Sequence, residues 1–498
     1  MLNSTEKKNS IWFTSSFVVN SVLNFIIYSL CFKLYEEKIF GIYIFILSIY
    51  LIGNTLDFGF GISSIKQISE SKEKNDFNFI CKYYTTLFYS YTIFALFLVV
   101  IFLMYYQIFL KYIDLFRVTD EVNISTIFYI ITASFFLNFI TGFIRCVMEG
   151  LSDYVNLSIF TIITVFVNFV LVLFIFLLKL NIYYLAVSTL ATSFISFLII
   201  FVYLNYKYSF ISYNLKNYEF NYIKNVYKYG LKLHLSMFIG SFADPLMKYL
   251  LGTYLSTSFI ALMEASRKII NFSNGLIFSA QRSLLVKLSQ SNARGELNEF
   301  VNSKLYFFSK MSNYYSIFVY GILGPLVCIF ILIWFKSFDV MMIFLIFSIS
   351  YSLINFAGCM YNVLIIDGRG FSLIFIQIIN ISSLYLLLYF TLIIFNSYAG
   401  LTGFILSTFI NVILIFYYLK KYYHLEINKY LTLIKIKDIL ILNLLILILG
   451  AFLIYFKGSE YIVLGITFFI NLVIFRKYFL FILEKTRLLI NSKFSFIK

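Results

Sequence analysis

The chain has 498 residues, of which 61% are hydrophobic and only 12% charged, with a formal net charge of +16. A mean hydropathy of +0.90 excludes a soluble or disordered chain and leaves an all-α polytopic membrane protein. The positive charge alone would admit a nucleic-acid partner, but the distribution described below accounts for most of it, and no nucleic acid is expected.

The first ten residues are short and polar, and the first apolar run is already a full span, so no cleavable signal peptide is expected. Runs long enough to cross a bilayer, at roughly 20 residues each, follow at 11–34, 39–62, 83–106, 123–145, 155–178, 182–205, 229–252, 257–282, 305–333, 340–363, 371–395, 399–419, 438–456 and 460–480. That is about 14 helices, an even number, with both termini on one side.

In chain order, the first span carries Ser16, Asn20 and Asn24 on one stripe. The second ends IGNTLDFGFGISSIKQISE, with Asn54, Asp57, Gly61 and Ser64 on a stripe. Asp57 could bind a cation or a proton there, or could belong to a capped, kinked helix end close to water. The fourth span aligns Ser134, Asn138, Thr141, Arg145 and Glu149. Arg145 either faces a hydrated cavity or pairs with Glu149, four residues on, at the membrane rim.

The stretch Tyr229–Leu285 concentrates the ionisable groups. His234, Met237, Ser241, Asp244 and Lys248 share a stripe of the seventh span; Glu264, Arg267, Lys268, Asn271 and Gly275 share one of the eighth. If the eighth span began after Lys268, only about 13 apolar residues would remain, too few to cross. Arg267 and Lys268 are therefore expected inside the span, facing protein or water. Lys248 and His234 either join them or sit near helix ends. Asp244 can neutralise Lys248 at i, i+4, and Glu264 can serve one of the two cations that follow it. The tenth span repeats the polar pattern with Ser348, Ser352, Asn355, Cys359 and Asn362. Such stripes glue helices together or, recurring in both halves, line a common cavity. Both prolines of the chain, Pro245 and Pro325, fall within spans and are expected to kink them.

The basic residues divide roughly 28 to 7 between alternate connections, which predicts cytoplasmic termini. The connections on the opposite side are short and offer no domain for an active site. The connections at 63–82, 206–228, 283–304 and 420–437 are longer and mixed in charge. No phosphate-binding loop and no GxSxG occur, and two histidines and five scattered cysteines give no metal or redox site. A transporter without cofactor or metal is expected, not an enzyme. The 62 phenylalanines and 42 tyrosines read as coding bias and not as a recognition surface.

A weak internal repeat at an offset of roughly 218 residues lays MEGLSDYVNLSIF (148–160) over IDGRGFSLIFIQI (366–378), with Gly150 opposite Gly368. Six spans per copy give two parallel bundles related by a pseudo-twofold axis along the membrane normal. The expected domains are 1–228, 229–437 and a pair of extra helices with a tail, 438–498.

Four segments carry a resemblance: LDFGFGISSIKQISE, the Gly150–Leu151–x–x–Tyr154 turn, SFADPLMKYLLG in the seventh span, and YAGLTGFILSTFINVILIFYYL at 398–419. Together they resemble the polysaccharide-exporter branch of the multidrug/oligosaccharidyl-lipid/polysaccharide flippase superfamily, nearest to Wzx-type O-antigen flippases. The resemblance implies export of an undecaprenyl-diphosphate-linked oligosaccharide across a bacterial inner membrane, in contact with membrane lipids and other polysaccharide assembly proteins, with proton or sodium coupling. On that reading Arg267, Lys268, Lys248, His234 and Arg145 meet the substrate, and Asp57, Asp244 and Glu264 are candidates for the coupling ion. A cation-coupled multidrug exporter would favour a more acidic cavity. A membrane-bound polymerase would need a larger external loop than this chain has.

Overall fold

A computed structural model describes residues 4–55, 60–114, 124–293, 295–426, 430–432, 436–456 and 458–481; at some positions inside the helices the backbone alone is described. All regular structure among the described residues is helical, as a hydrocarbon solvent requires of a spanning chain that does not close a barrel. By internal contacts the chain divides into two units, residues 1–264 and 265–498.

The first unit holds α1 (Ser4–Leu34), α2 (Glu37–Thr55), α3 (Phe60–Glu73), α4 (Phe77–Asp114), α5 (Ile124–Gly150), α6 (Tyr154–Leu177), α7 (Ile182–Lys207), α8 (Phe220–Ser241), α9 (Ala243–Tyr254) and the start of α10 (Thr257–Ala293). The second holds the remainder of α10, α11 (Leu297–Ser303), α12 (Leu305–Ser316), α13 (Gly324–Phe335), α14 (Phe338–Ile366), α15 (Gly370–Phe395), α16 (Thr402–Tyr423), α17 (Ile436–Tyr455) and α18 (Glu460–Ile474).

Among the described residues nine helices are long and apolar enough to cross a membrane, and the bent pair Leu305–Ile322 with Gly324–Phe335 makes a tenth. The expected spans at 229–252, 257–282 and 460–480 also fall on helices, but on shorter, broken or more charged ones, and the described parts of 39–62 lie on α2 and α3. The 229–252 span is not one helix: it breaks at Phe242, between α8 and α9. Pro245 is the cause, because it has no N–H for the carbonyl of Ser241; the chain turns there with Phe242 N–H on the Ile239 carbonyl at 3.1 Å. Pro325 acts in the same way on the ninth span. A π-type turn over Ile317–Ile322 precedes it, and the two halves of the span meet at 47°.

Tyrosine hydroxyls tie the helices of the first unit. Tyr28 of α1 donates to the Ala261 carbonyl at 2.6 Å, Tyr43 of α2 meets Thr189 of α7 at 2.8 Å, and Tyr35 donates to the Leu180 carbonyl at 3.1 Å. In the second unit α14 is central: 83% of its apolar window is buried in protein, against 22% for α15. Gly403 brings α16 onto α15 so closely that a Cβ there would stand 2.6 Å from the Leu388 Cα.

The internal repeat is visible in the turns, at a different register from the glycine match. α5 and α14 end at 150 and 366, and α6 and α15 begin at 154 and 370, an offset of 216. The left-handed residue of the turn is Ser152 in one copy (φ 59°) and Gly368 in the other (φ 70°). Gly150 serves a different need: a Cβ there would lie 2.9 Å from Ile68 Cβ of α3. The two glycines aligned by sequence thus do different work, which is why matching them shifts the register by two.

Candidate functional site

The α9–α10 hairpin gathers three of the charged residues singled out from the sequence. Asp244 stands in the first turn of α9, one turn before Lys248, and their ion pair measures 2.9 Å. Glu264 of α10 reaches the same Lys248 Nζ at 3.3 Å. The Lys248 side chain is 3% exposed, and those of Asp244 and Glu264 are 21% and 11% exposed. A lone buried ammonium would cost several kcal/mol, so two carboxylates hold the charge in place. Lys248 is thus committed to protein carboxylates. Tyr28 reaches the backbone one turn before Glu264, at Ala261, and so anchors α1 against this hairpin.

Glu264 thus reaches Lys248, across the hairpin. Arg267 and Lys268 follow on α10, within the second unit; both are half-buried and both are engaged by other groups. Asp57 and the side chain of His234 lie outside the described residues.

Arg145 belongs to a separate set of contacts in the first unit. Its Nη2 donates to Ser196 Oγ of α7 at 3.0 Å, while its Nε is buried without a hydrogen-bond partner. Among the described residues it forms no ion pair with Glu149. Two turns earlier on α5, Asn138 donates to Ser193 at 2.9 Å. Beside these groups lies a cavity of about 290 Å³.

At the ends of these helices the turns are fastened by acids. Asp153, between α5 and α6, accepts from Lys207 at 2.8 Å, Tyr203 at 2.8 Å, Tyr208 at 3.0 Å and Asn156 at 2.7 Å. Burial alone would push its carboxyl up; the hydrogen bonds, led by the one from Lys207, outweigh that and hold it below the ordinary carboxylate value. In the other copy Asp367 takes the guanidinium of Arg369 at 2.6 Å and the hydroxyl of Tyr423 at 2.7 Å.

The second unit contains a polar core that the sequence did not single out as a cluster. Asn274 Oδ1 accepts from Tyr320 at 2.6 Å and from Asn355 at 2.9 Å, and Ser352 donates to Asn443 Oδ1 at 2.9 Å. All of these groups are buried. Asn355 and Ser352 were legible from the stripe of the tenth span. Asn274, Tyr320 and Asn443 are isolated polar groups on other helices, and only the tertiary packing joins them.

The profile of a family described as polysaccharide biosynthesis protein matches residues 7–285. No curated protein matches the chain. Among solved structures, the lipid II flippase MurJ in an inward closed conformation is similar over 94% of this chain and 98% of its own, at 16% identity and a TM-score of 0.65. An inward-facing multidrug-resistance MATE family transporter of the MOP superfamily is similar over 86% and 99%, at 14% identity and a TM-score of 0.64. A mutant of the Vibrio cholerae MATE transporter VcmN is similar over 84% and 99%, at 14% identity and a TM-score of 0.59. At such identities the likeness is one of fold, that of multi-pass membrane transporters. With the profile extending from α1 into α10, through the break at Phe242 and the Asp244–Lys248–Glu264 cluster, the chain belongs to the polysaccharide biosynthesis protein family.

Proposed function

We propose that the protein is a flippase. It moves an undecaprenyl-diphosphate-linked oligosaccharide, the repeat unit of an O-antigen or other surface polysaccharide, between the leaflets of a bacterial inner membrane. Two six-helix bundles, residues 1–228 and 229–437, alternate access to the substrate, with both termini in the cytoplasm and a proton or sodium ion driving the cycle. Arg267 and Lys268, with His234, meet the diphosphate; Asp244, Glu264 and Asp57 carry the coupling ion.

The observation that supports this most directly is the ionised cluster on Lys248, inside the segment matched to the family. A chain that only had to sit in the membrane would gain stability from apolar residues of the same volume, so an ion triad around a buried lysine supports a role for charge. The multidrug-exporter reading has the fold likeness on its side but lacks the family match.

Reconstitution separates the two. Proteoliposomes should translocate a fluorescent undecaprenyl-diphosphate glycan and leave a cationic dye in place. Dye transport without glycan transport would favour the exporter and remove the flippase reading. In cells, deletion should build up the lipid-linked oligosaccharide on the cytoplasmic leaflet. Arg267→Ala or Lys268→Ala should reproduce that build-up with the protein still present in the membrane.

A further inference from the structure

We propose that the cavity beside Arg145 is an anion subsite that takes a phosphate group. It is separate in its contacts from the Lys248 cluster and lies wholly within the first unit. A guanidinium carries five N–H donors in a planar fork. Here the described protein supplies one acceptor, Ser196, and the Nε finds none. Lys248 has two carboxylates in contact, Lys207 has Asp153, and Arg369 has Asp367, whereas Glu149, one turn beyond Arg145, acts on it only through charge at longer range.

The space beside Arg145 is large enough to hold the missing acceptor. The cavity, about 290 Å³, is lined by Asn138, Thr141, Tyr91 and Cys146 as well as Arg145, at the lower end of the size range of small-ligand pockets. The Asn138 amide and the Arg145 guanidinium on its wall can each donate to oxygen, as a phosphate requires; the Thr141 hydroxyl already donates to the Leu137 carbonyl at 2.7 Å.

Depth favours phosphate over carboxylate. Arg145 is five residues from the end of α5, about 8 Å along the helix axis at 1.5 Å per residue. α5 is 27 residues long, or about 40 Å, against a hydrocarbon core of about 30 Å. Arg145 thus lies close to the boundary with the headgroups, where phosphate is the abundant anion. The phosphate can come from a bilayer phospholipid or from the diphosphate of a lipid-linked cargo, and the two sources can be told apart.

Cys146 is a reporter built into the wall. Cys31, Cys328 and Cys359 are buried, and Cys81→Ser removes the other half-exposed thiol. In that background, purified in dodecyl maltoside, Cys146 should react several-fold faster with an anionic methanethiosulfonate than with a cationic one. Inorganic diphosphate should slow the reaction several-fold. Arg145→Gln should abolish both the preference and the protection, whereas Arg145→Lys should keep the preference. In phosphatidylglycerol vesicles, protection without added diphosphate assigns the site to lipid headgroups; protection only on adding diphosphate assigns it to the cargo. Lack of protection from either source, or equal protection in Arg145→Gln, overturns the proposal. If Arg145→Gln does not fold, the protection measured with Arg145 in place decides. The readout is occupancy and not transport, so this proposal and the flippase reading can fail separately.

Discussion

Asn471 of α18 donates a hydrogen bond of 2.8 Å to the carbonyl of Gly321, the group that Pro325, four residues on and without an N–H, cannot serve. Both Asn471 and Gly321 are buried. A Cβ on Gly321 would stand 2.8 Å from Leu442 of α17 and 3.4 Å from the Phe475 ring. The two helices beyond the internal repeat therefore brace the bend in the ninth span. Asn471→Leu should destabilise the protein by about 1–3 kcal/mol, because it removes the donor and leaves a buried carbonyl behind. Pro325→Ala restores a backbone N–H at the right position, so the same Asn471→Leu change should cost less in that background. Thermal unfolding of the four proteins of the cycle measures the coupling, and strict additivity would show that the two sites act independently.

Gly403 tests the closeness of α15 and α16. A Cβ there would meet Leu388 Cα at 2.6 Å, Thr391 Oγ1 at 2.6 Å and Leu387 C at 2.7 Å, two of them backbone atoms that cannot swing away. Gly403→Ala should lower stability by about 1–3 kcal/mol through overpacking. Gly465, whose Cβ would meet nothing within 4 Å, is the control: Gly465→Ala should be neutral or stabilising, since it also improves helix propensity. Detergent-solubilised melting temperatures should fall for Gly403→Ala and stay level or rise for Gly465→Ala.

Asp153 makes stability depend on pH at the end of the first unit's helices. Its carboxyl titrates lower in the folded protein than in the unfolded chain. As pH falls, the unfolded chain takes up the proton first, so this contribution is complete above about pH 4 and is lost on further acidification. Asp153→Asn should flatten the acid limb of the stability profile between about pH 5 and pH 3 and cost about 1 kcal/mol at neutral pH, a modest figure because Lys207 is substantially exposed. An unchanged acid limb in the variant would assign the pH dependence to other groups.

The helices were legible because length and apolarity leave a spanning chain little choice, and the breaks at Pro245 and Pro325 followed from a missing N–H at a known position. The Asp244–Lys248 pair was legible too, since i, i+4 spacing brings the two side chains together whatever surrounds them. Glu264 was not. Within α10 it has Arg267 and Lys268 three and four residues on, and the sequence gives no sign of a lysine across a hairpin. That contact depends on where the turn at 255–256 places α9. The network of Asn274, Tyr320 and Asn355 joins residues 46 and 81 positions apart, and no local period encodes such a pairing. The hydroxyls of Tyr28 and Tyr43, which each bridge two helices, lie equally beyond what composition can encode.

The Lys248 cluster yields the most demanding prediction. Lys248→Met keeps the length of the side chain and removes its charge, leaving Asp244 and Glu264 on the hairpin without the ammonium they share. Removing one partner of a buried pair typically costs about 3–5 kcal/mol, so the variant should be poorly accumulated in membranes or melt well below the parent. If the penalty arises from uncompensated carboxylates, Glu264→Gln in the Lys248→Met background should recover part of it, and Asp244→Asn added to that should recover more. If instead the ammonium matters chiefly as packing volume, Lys248→Met alone should be mild and the added substitutions should make matters worse. The flippase reading adds a separate expectation for the same proteins. A variant with both carboxylates neutralised and normal thermal stability should have lost ion-driven glycan transport in proteoliposomes, and retention of that transport would remove Asp244 and Glu264 from the coupling mechanism.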